Sequence, residues 1–166
     1  MRTAKAMPLV YLPTTLADQT ALLLNSFAEH RPSEGVVYWF GLETTTFAVL
    51  TTLIVPDADT TGGRVRTSVT ANAGAIAAII GTPLVYLGQA HSHPGGHVDH
   101  SLVDDHETFA RFDGAISVVV PWFGRYGFAL DQCGVHRHID GRFQRVHAVA
   151  EHLRLLPSIK DLRGTS

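Results

Sequence analysis

Leu84-Val85-Tyr86-Leu87-Gly88-Gln89-Ala90-His91-Ser92-His93-Pro94-Gly95-Gly96-His97-Val98-Asp99-His100-Ser101-Leu102-Val103-Asp104-Asp105 decides how the rest of the chain is read. Its apolar opening, Leu84 to Leu87, predicts a buried strand. Alternate strand residues share a face, so His91 and His93 point the same way. Pro94-Gly95-Gly96 breaks the strand. From Ser101 to about Arg111 no breaker intervenes, which predicts a helix. Ser101 and Asp104 are three residues apart there and share a face. A strand end and a helix start thus bring two His, one Asp and one Ser toward a point. Asp105 is rotated about 100° from Asp104, so only one of them faces that point, and helix phase alone does not choose.

Two neutral imidazoles and one carboxylate suit a zinc ion that keeps its fourth position open. Structural zinc sites usually take four protein ligands, often Cys, and the chain has one Cys. Zinc lowers the pKa of a bound water to about 7, which makes hydroxide available near neutrality. His97, His100 and His106 are read as solvent-facing loop or helix residues, with a spare-ligand role as the alternative. Cys133 reads as a small buried residue without an activating environment. His136-Arg137-His138 repeats the His-x-His spacing with no acid at a matching offset, and reads as a solvent-exposed strand face.

The stretch resembles the JAMM (JAB/MPN) metallopeptidase signature: His-x-His, seven residues, Ser, two residues, Asp. His91, His93, Ser101 and Asp104 match it without a gap, and the pattern picks Asp104 over Asp105. The family also uses a Glu well upstream, at the start of a strand that ends in Gly. Glu34-Gly35-Val36-Val37-Tyr38-Trp39-Phe40-Gly41 fits; Glu43, the other acid near it, falls after Gly41 in the expected turn and fits less well. The resemblance, to a prokaryotic single-domain JAB-type member, covers about residues 15 to 135 in the order of elements. Two departures stand out: the aromatic trio Tyr38-Trp39-Phe40, and His100 just before the Ser. The resemblance implies zinc held by His91, His93 and Asp104. It implies Glu34 as general base and then acid, and Ser101 as oxyanion donor, a role compatible with capping its helix. It also implies the substrate, a ubiquitin-like protein or its conjugate, cut after the C-terminal Gly. Alternatives are processing of a sulfur-carrier-type protein, a general peptidase, another zinc hydrolase acting on a small molecule or phosphoester, or a non-catalytic MPN-like binding module.

Outward from that stretch, 166 residues with 45% hydrophobic and 17% charged content predict one globular domain, 1–166. Its ends, 1–13 and 157–166, read as loosely held tails. The net charge of −2 gives no basic footprint for nucleic acid. No apolar run spans a membrane, and residues 1–13 lack the apolar core of a secretory signal. The single Cys is compatible with a reducing cytosol, so the expected location is cytoplasmic. Thr14 or Thr15 is expected to cap a helix running to about His30, with Leu16, Leu22, Leu23 and Phe27 as its apolar stripe. Gly35–Gly41 and Thr44–Val55 read as strands, and Pro56–Gly63 as a mobile loop. A second, Ala-rich helix, capped by Ser68 or Thr70, runs from about Ala71 to Ile80 and packs closely on a sheet. Ala115–Pro121, Tyr126–Asp131 and Val135–Ile139 read as strands, and Gln144–Leu156 as a last helix. Strands and helices interleave, then three strands run in series, so the fold class is α/β (α+β) with a mixed or antiparallel sheet. The resemblance makes that a curved mixed, largely antiparallel sheet flanked by helices.

Overall fold

The structure is a computed structural model that describes residues 7–60, 65–160 and 163. Its frame is a curved eight-stranded sheet with helices on it. The strands are β1 (Leu9–Pro13), β2 (Val36–Glu43), β3 (Phe47–Ile54), β6 (Val85–Ser92), β7 (Ile116–Val120), β8 (Gly134–Ile139), β9 (Arg142–Arg145) and β10 (Leu153–Leu156). Short strands β4 (Ala58–Asp59) and β5 (Arg66–Thr67) pair separately. The sheet order is β10-β1-β3-β2-β6-β7-β8-β9. The sheet is mixed, as expected: β1–β10, β1–β3 and β6–β7 are parallel, and the other four pairings are antiparallel.

β2 lies at the centre and is buried on both faces, which explains its unbroken apolar run. Val37 and Trp39 enter the core that α1 (Thr14–Ser26) covers. Val36, Tyr38 and Phe40 enter the opposite core, with Ala75 of α2 (Val69–Ala77). The aromatic trio is therefore split. Tyr38 stacks on Phe109 at 4.7 Å, and Phe40 meets Tyr86 edge-on at 5.5 Å. Curvature comes from register shifts in β2, at Phe40/Gly41 against β3 and at Trp39/Phe40 against β6. Two glycines permit close approach between strands, Gly41 between β2 and β3 and Gly88 between β6 and β7. A Cβ on Gly41 would stand 2.0 Å from the Val49 carbonyl oxygen, and one on Gly88 2.0 Å from that of Ile116.

Several elements differ from the sequence reading. Residues 9–13, read as part of a loose end, form β1 between β3 and β10. Helix α1 ends at Ser26 rather than His30; beyond it the chain continues in i to i−3 turns, Ala28 N–H to Asn25 and Glu29 N–H to Ser26, and the Phe27 ring fills the space beside Gly35. Its buried stripe is Ala17, Thr20, Ala21 and Leu24, while Leu22 is 61% exposed. Small residues on the inner face let the helix sit close to the sheet. Thr14 and Thr15 do not cap it; both bond Ser158, which ties down the segment after β10. Helix α2 does begin at a Ser68 cap, though Ala75 is its one buried residue. Loop 56–63 is partly a ladder, β4 with β5, and Arg31 and Ser33 donate to the Thr60 carbonyl; residues 61–63 lie outside the described ones.

The expected strand Tyr126–Asp131 is irregular. Gly127 has φ of 84°, and Phe128 and Leu130 pack on the core without a ladder. The expected helix Gln144–Leu156 is instead β9, one 3-10 turn (Val149–Glu151) and β10. Its helical spacing of Val and Leu loses to the free edge of β1, against which Leu153 is fully buried. His136-Arg137-His138 is not an exposed face: all three are buried on β8. Arg137 donates to the carbonyls of Gly114, Pro8 and His152, and so clamps β1 and the start of β10 to the sheet. Among the described residues no helix is long and apolar enough to cross a membrane.

Candidate metal centre

β6 carries His91 to its end and His93 just past it, both on the side of Val36 and Tyr38. Their rings lie 5.1 Å apart. Ser92, between them, points the other way; its hydroxyl accepts the Gly35 N–H at 3.0 Å, and its own N–H donates to the Gly35 carbonyl at 3.0 Å. That pair of bonds fixes Glu34 beside the histidines. The Phe123 N–H donates to the His93 carbonyl at 2.8 Å and the His93 N–H to Val120. The strand end is thus held from both sides.

After the Pro-Gly-Gly turn the chain returns through α3 (Leu102–Glu107), shorter than the expected run to Arg111. Ser101 is its N-cap. The Ser101 hydroxyl accepts the Asp104 N–H at 3.2 Å, and the Ser101 N–H donates to Asp104 Oδ2 at 2.6 Å. This box aims the Asp104 carboxylate at the strand end. His91 Nε2 is 3.8 Å from Asp104 Oδ1, and His93 Nε2 is 3.5 Å from Oδ2. One donor atom from each of the three lies within 4.8 Å of the others.

The donor chemistry fits a zinc ion. His93 Nδ1 is 2.8 Å from the His97 carbonyl, which can only accept. Nδ1 therefore carries the proton and Nε2 presents its lone pair to the site. His91 is buried, and neither of its ring nitrogens has a hydrogen bond among the described residues. Buried imidazole nitrogens are costly to leave without a partner, and a metal ion supplies one. Burial also holds His91 well below its ordinary pKa, hence neutral, the form that ligates. Burial alone would raise the Asp104 carboxyl, but His93, His91 and the Ser101 hydrogen bonds hold it well below the usual carboxylate range.

Glu34 is 9% exposed. Burial pushes its pKa up to about 7, against the opposing pull of His93 and with the help of Asp104. It therefore exchanges a proton near neutrality, as a general base must. Glu43 sits at the far end of β2, about 20 Å along the strand from Val36. It takes no part in the site.

The remaining sequence candidates have other partners. Asp105 bonds His100, and Asp99 bonds Arg145. His97 is exposed and offers its carbonyl. The side chain of His106 lies outside what is described. Cys133 is buried, as expected, and that burial pushes its thiol up to about 12, so it stays a protonated thiol near neutrality. His100, read as solvent-facing, has a side chain only 4% exposed. Its burial had no local signal beyond its place immediately before the cap.

No protein-family model and no curated protein sequence matches the chain. Solved structures do. A JAB1/MPN domain protein from Archaeoglobus fulgidus superposes with a TM-score of 0.52 at 16% identity, covering 89% of this chain and 96% of that one. The chain has the JAB1/MPN fold. A structure described as a metalloprotease-like zinc site of JAMM type in the proteasome and signalosome superposes with a TM-score of 0.51 at 16% identity, over 89% of this chain and 98% of that one. A protein from Desulfitobacterium hafniense superposes with a TM-score of 0.70 at 12% identity, over 92% and 96%. At these identities the likeness is one of fold. Within this JAB1/MPN fold the His-His-Asp cluster occupies the junction of β6 and α3.

Proposed function

We propose that the chain is a zinc-dependent peptidase or isopeptidase of JAMM type, acting on the amide after the C-terminal Gly of a ubiquitin-like protein. The observation that carries it is the convergence of His91, His93 and Asp104 with a buried Glu34 beside them. The three ligands leave one position open, as catalytic rather than structural zinc sites do. Bound there, zinc would polarise the scissile carbonyl and lower the pKa of a water.

The chain's own residues supply the rest. Glu34, half ionised near neutrality, takes the proton from the attacking water. It then delivers that proton to the leaving nitrogen as the C–N bond breaks, giving a carboxylic acid and an amine. The Ser101 hydroxyl accepts the Asp104 N–H through a lone pair, so its own proton remains to be donated to the developing oxyanion. Pro94-Gly95-Gly96 leaves little side-chain bulk beside the site, which suits an extended glycine-rich tail. A cytoplasmic setting suits such a substrate and the single reduced Cys.

The test supplies a ubiquitin-like protein joined through Gly-Gly to a reporter, alongside the same fusion with bulky residues at the junction. Selective cleavage of the first is expected. Equal cleavage of both, or turnover of unrelated short peptides alone, would move the chain to general peptidase.

A further inference from the structure

His100 stands immediately before the cap of α3. Its Nδ1 is 2.9 Å from Asp105 Oδ1, and its Nε2 is 2.8 Å from Ser117 Oγ. An ionised carboxylate only accepts, so Nδ1 carries the proton and Nε2 accepts a hydrogen bond from the Ser117 hydroxyl. Asp, His and Ser in this order and at these distances have the form of a nucleophilic triad. Ser117 is fully buried, however, on β7 between β6 and β8. No acyl group reaches its oxygen, and that reading ends there.

What the series does reach is the metal centre. Asp105 is the chain neighbour of the ligand Asp104. Ser117 pairs with Gln89, two residues before the ligand His91. The His100 ring stands edge-on to that of His91, with centroids 5.1 Å apart and planes at 76°. Behind it His136 and Phe143 close the other side at 4.4 and 4.9 Å. Two needs meet here. α3 has six residues, too few to hold a direction by itself, and its capping box secures only the first turn. Among the described residues His91 has no hydrogen bond to fix its ring plane, unlike His93.

We propose that Asp105, His100 and Ser117 form a strut that positions the metal ligands. It pins α3 to β7 so that Asp104 faces the two imidazoles, and its ring sets the plane of His91. The first two acids of α3 thus divide the work, Asp104 toward the metal and Asp105 toward the strut. This inference rests on the zinc reading above. All three are positioning residues and touch neither metal nor substrate.

The test measures zinc affinity by competition with a chromophoric chelator. It also records the visible spectrum of the cobalt(II)-substituted protein, which reports ligand geometry. His100→Phe keeps the ring and loses both hydrogen bonds; Asp105→Ala loses the carboxylate; Ser117→Ala loses one bond with least change of volume. Loss of outer-shell partners typically weakens metal binding about 10- to 100-fold, the effect expected for His100→Phe and Asp105→Ala. Ser117→Ala should show a smaller loss, and all three an altered cobalt spectrum. Circular dichroism and thermal unfolding of the chelator-treated proteins read the fold separately, and Ser117→Ala carries the test if a larger change prevents folding. Affinities within about threefold of the parent, with an unchanged cobalt spectrum, would overturn the strut, as would losses that only track unfolding. A parent that binds no zinc removes the metal reading as well; a parent and variants that bind alike remove the strut alone.

Discussion

Glu34→Gln should make the metal-free protein more stable at pH 8 and, once zinc is restored, slow its turnover. The Glu34 carboxyl is raised from 4.5 to about 7, chiefly by burial. Between those values the unfolded chain has already released a proton that the native state keeps. Stability therefore falls as pH rises through that window, and the loss is complete above about 7. At about 1.4 kcal/mol per pKa unit the ceiling is about 3 kcal/mol, and partial hydration of the carboxylate brings the expectation to about 1.5 kcal/mol. Gln keeps the shape and cannot ionise, so the variant escapes the penalty. Urea unfolding of chelator-treated parent and variant at pH 5 and pH 8 measures it, because titrations that Glu34 does not influence cancel in the difference; His93, which the Glu34 charge helps to raise, adds a smaller change to it. The variant should gain about 1–3 kcal/mol on its parent between the two pH values. With zinc restored, its turnover should fall roughly 10²- to 10⁴-fold with metal content unchanged. Parallel pH profiles for the two proteins would refute the burial argument, and an active Glu34→Gln beside a dead Glu43→Gln would refute the choice of base.

Gly88→Ala should lower the thermal midpoint sharply, because its Cβ would stand 2.0 Å from a backbone oxygen that cannot move without separating β6 from β7; overpacking of this kind costs about 1–3 kcal/mol or more, and an unchanged midpoint would contradict the close approach. Burial lowers His136 from 6.5 to about 4, helped by His100 and Arg145, so the unfolded state binds the proton first as pH falls. Stability should therefore drop between pH 6.5 and 4 by about 3 kcal/mol at most, and His136→Leu should flatten that limb in unfolding titrations.

The candidate metal cluster is legible because each half of it is local. Period two on a strand aligns His91 with His93, and three residues on a helix align Ser101 with Asp104. Glu34 needed the resemblance, since no spacing on the chain ties it to the histidines; the tie is the Ser92–Gly35 hydrogen bonding across β6 and β2. What was not legible depends on partners far along the chain. Leu9–Pro13 becomes a strand only between β3 and β10. Leu153–Leu156, with helical spacing of its apolar residues, becomes one only because β1 offers an edge. His136-Arg137-His138 looks like a wet face until the Gly114, Pro8 and His152 carbonyls gather around the guanidinium. His100 reads as a solvent-facing loop or helix residue for the same reason, its hydrogen-bond donor Ser117 lying far along the chain on β7.

The most direct test of the account is the zinc content of purified protein by elemental mass spectrometry, for the parent and for Asp104→Ala. One zinc per chain in the parent and near none in the variant is the predicted result, because the variant removes one of the three candidate ligands that the described residues bring together. A metal-free parent, or an Asp104→Ala protein that keeps its zinc, would contradict the His91, His93 and Asp104 centre on which the proposed chemistry depends.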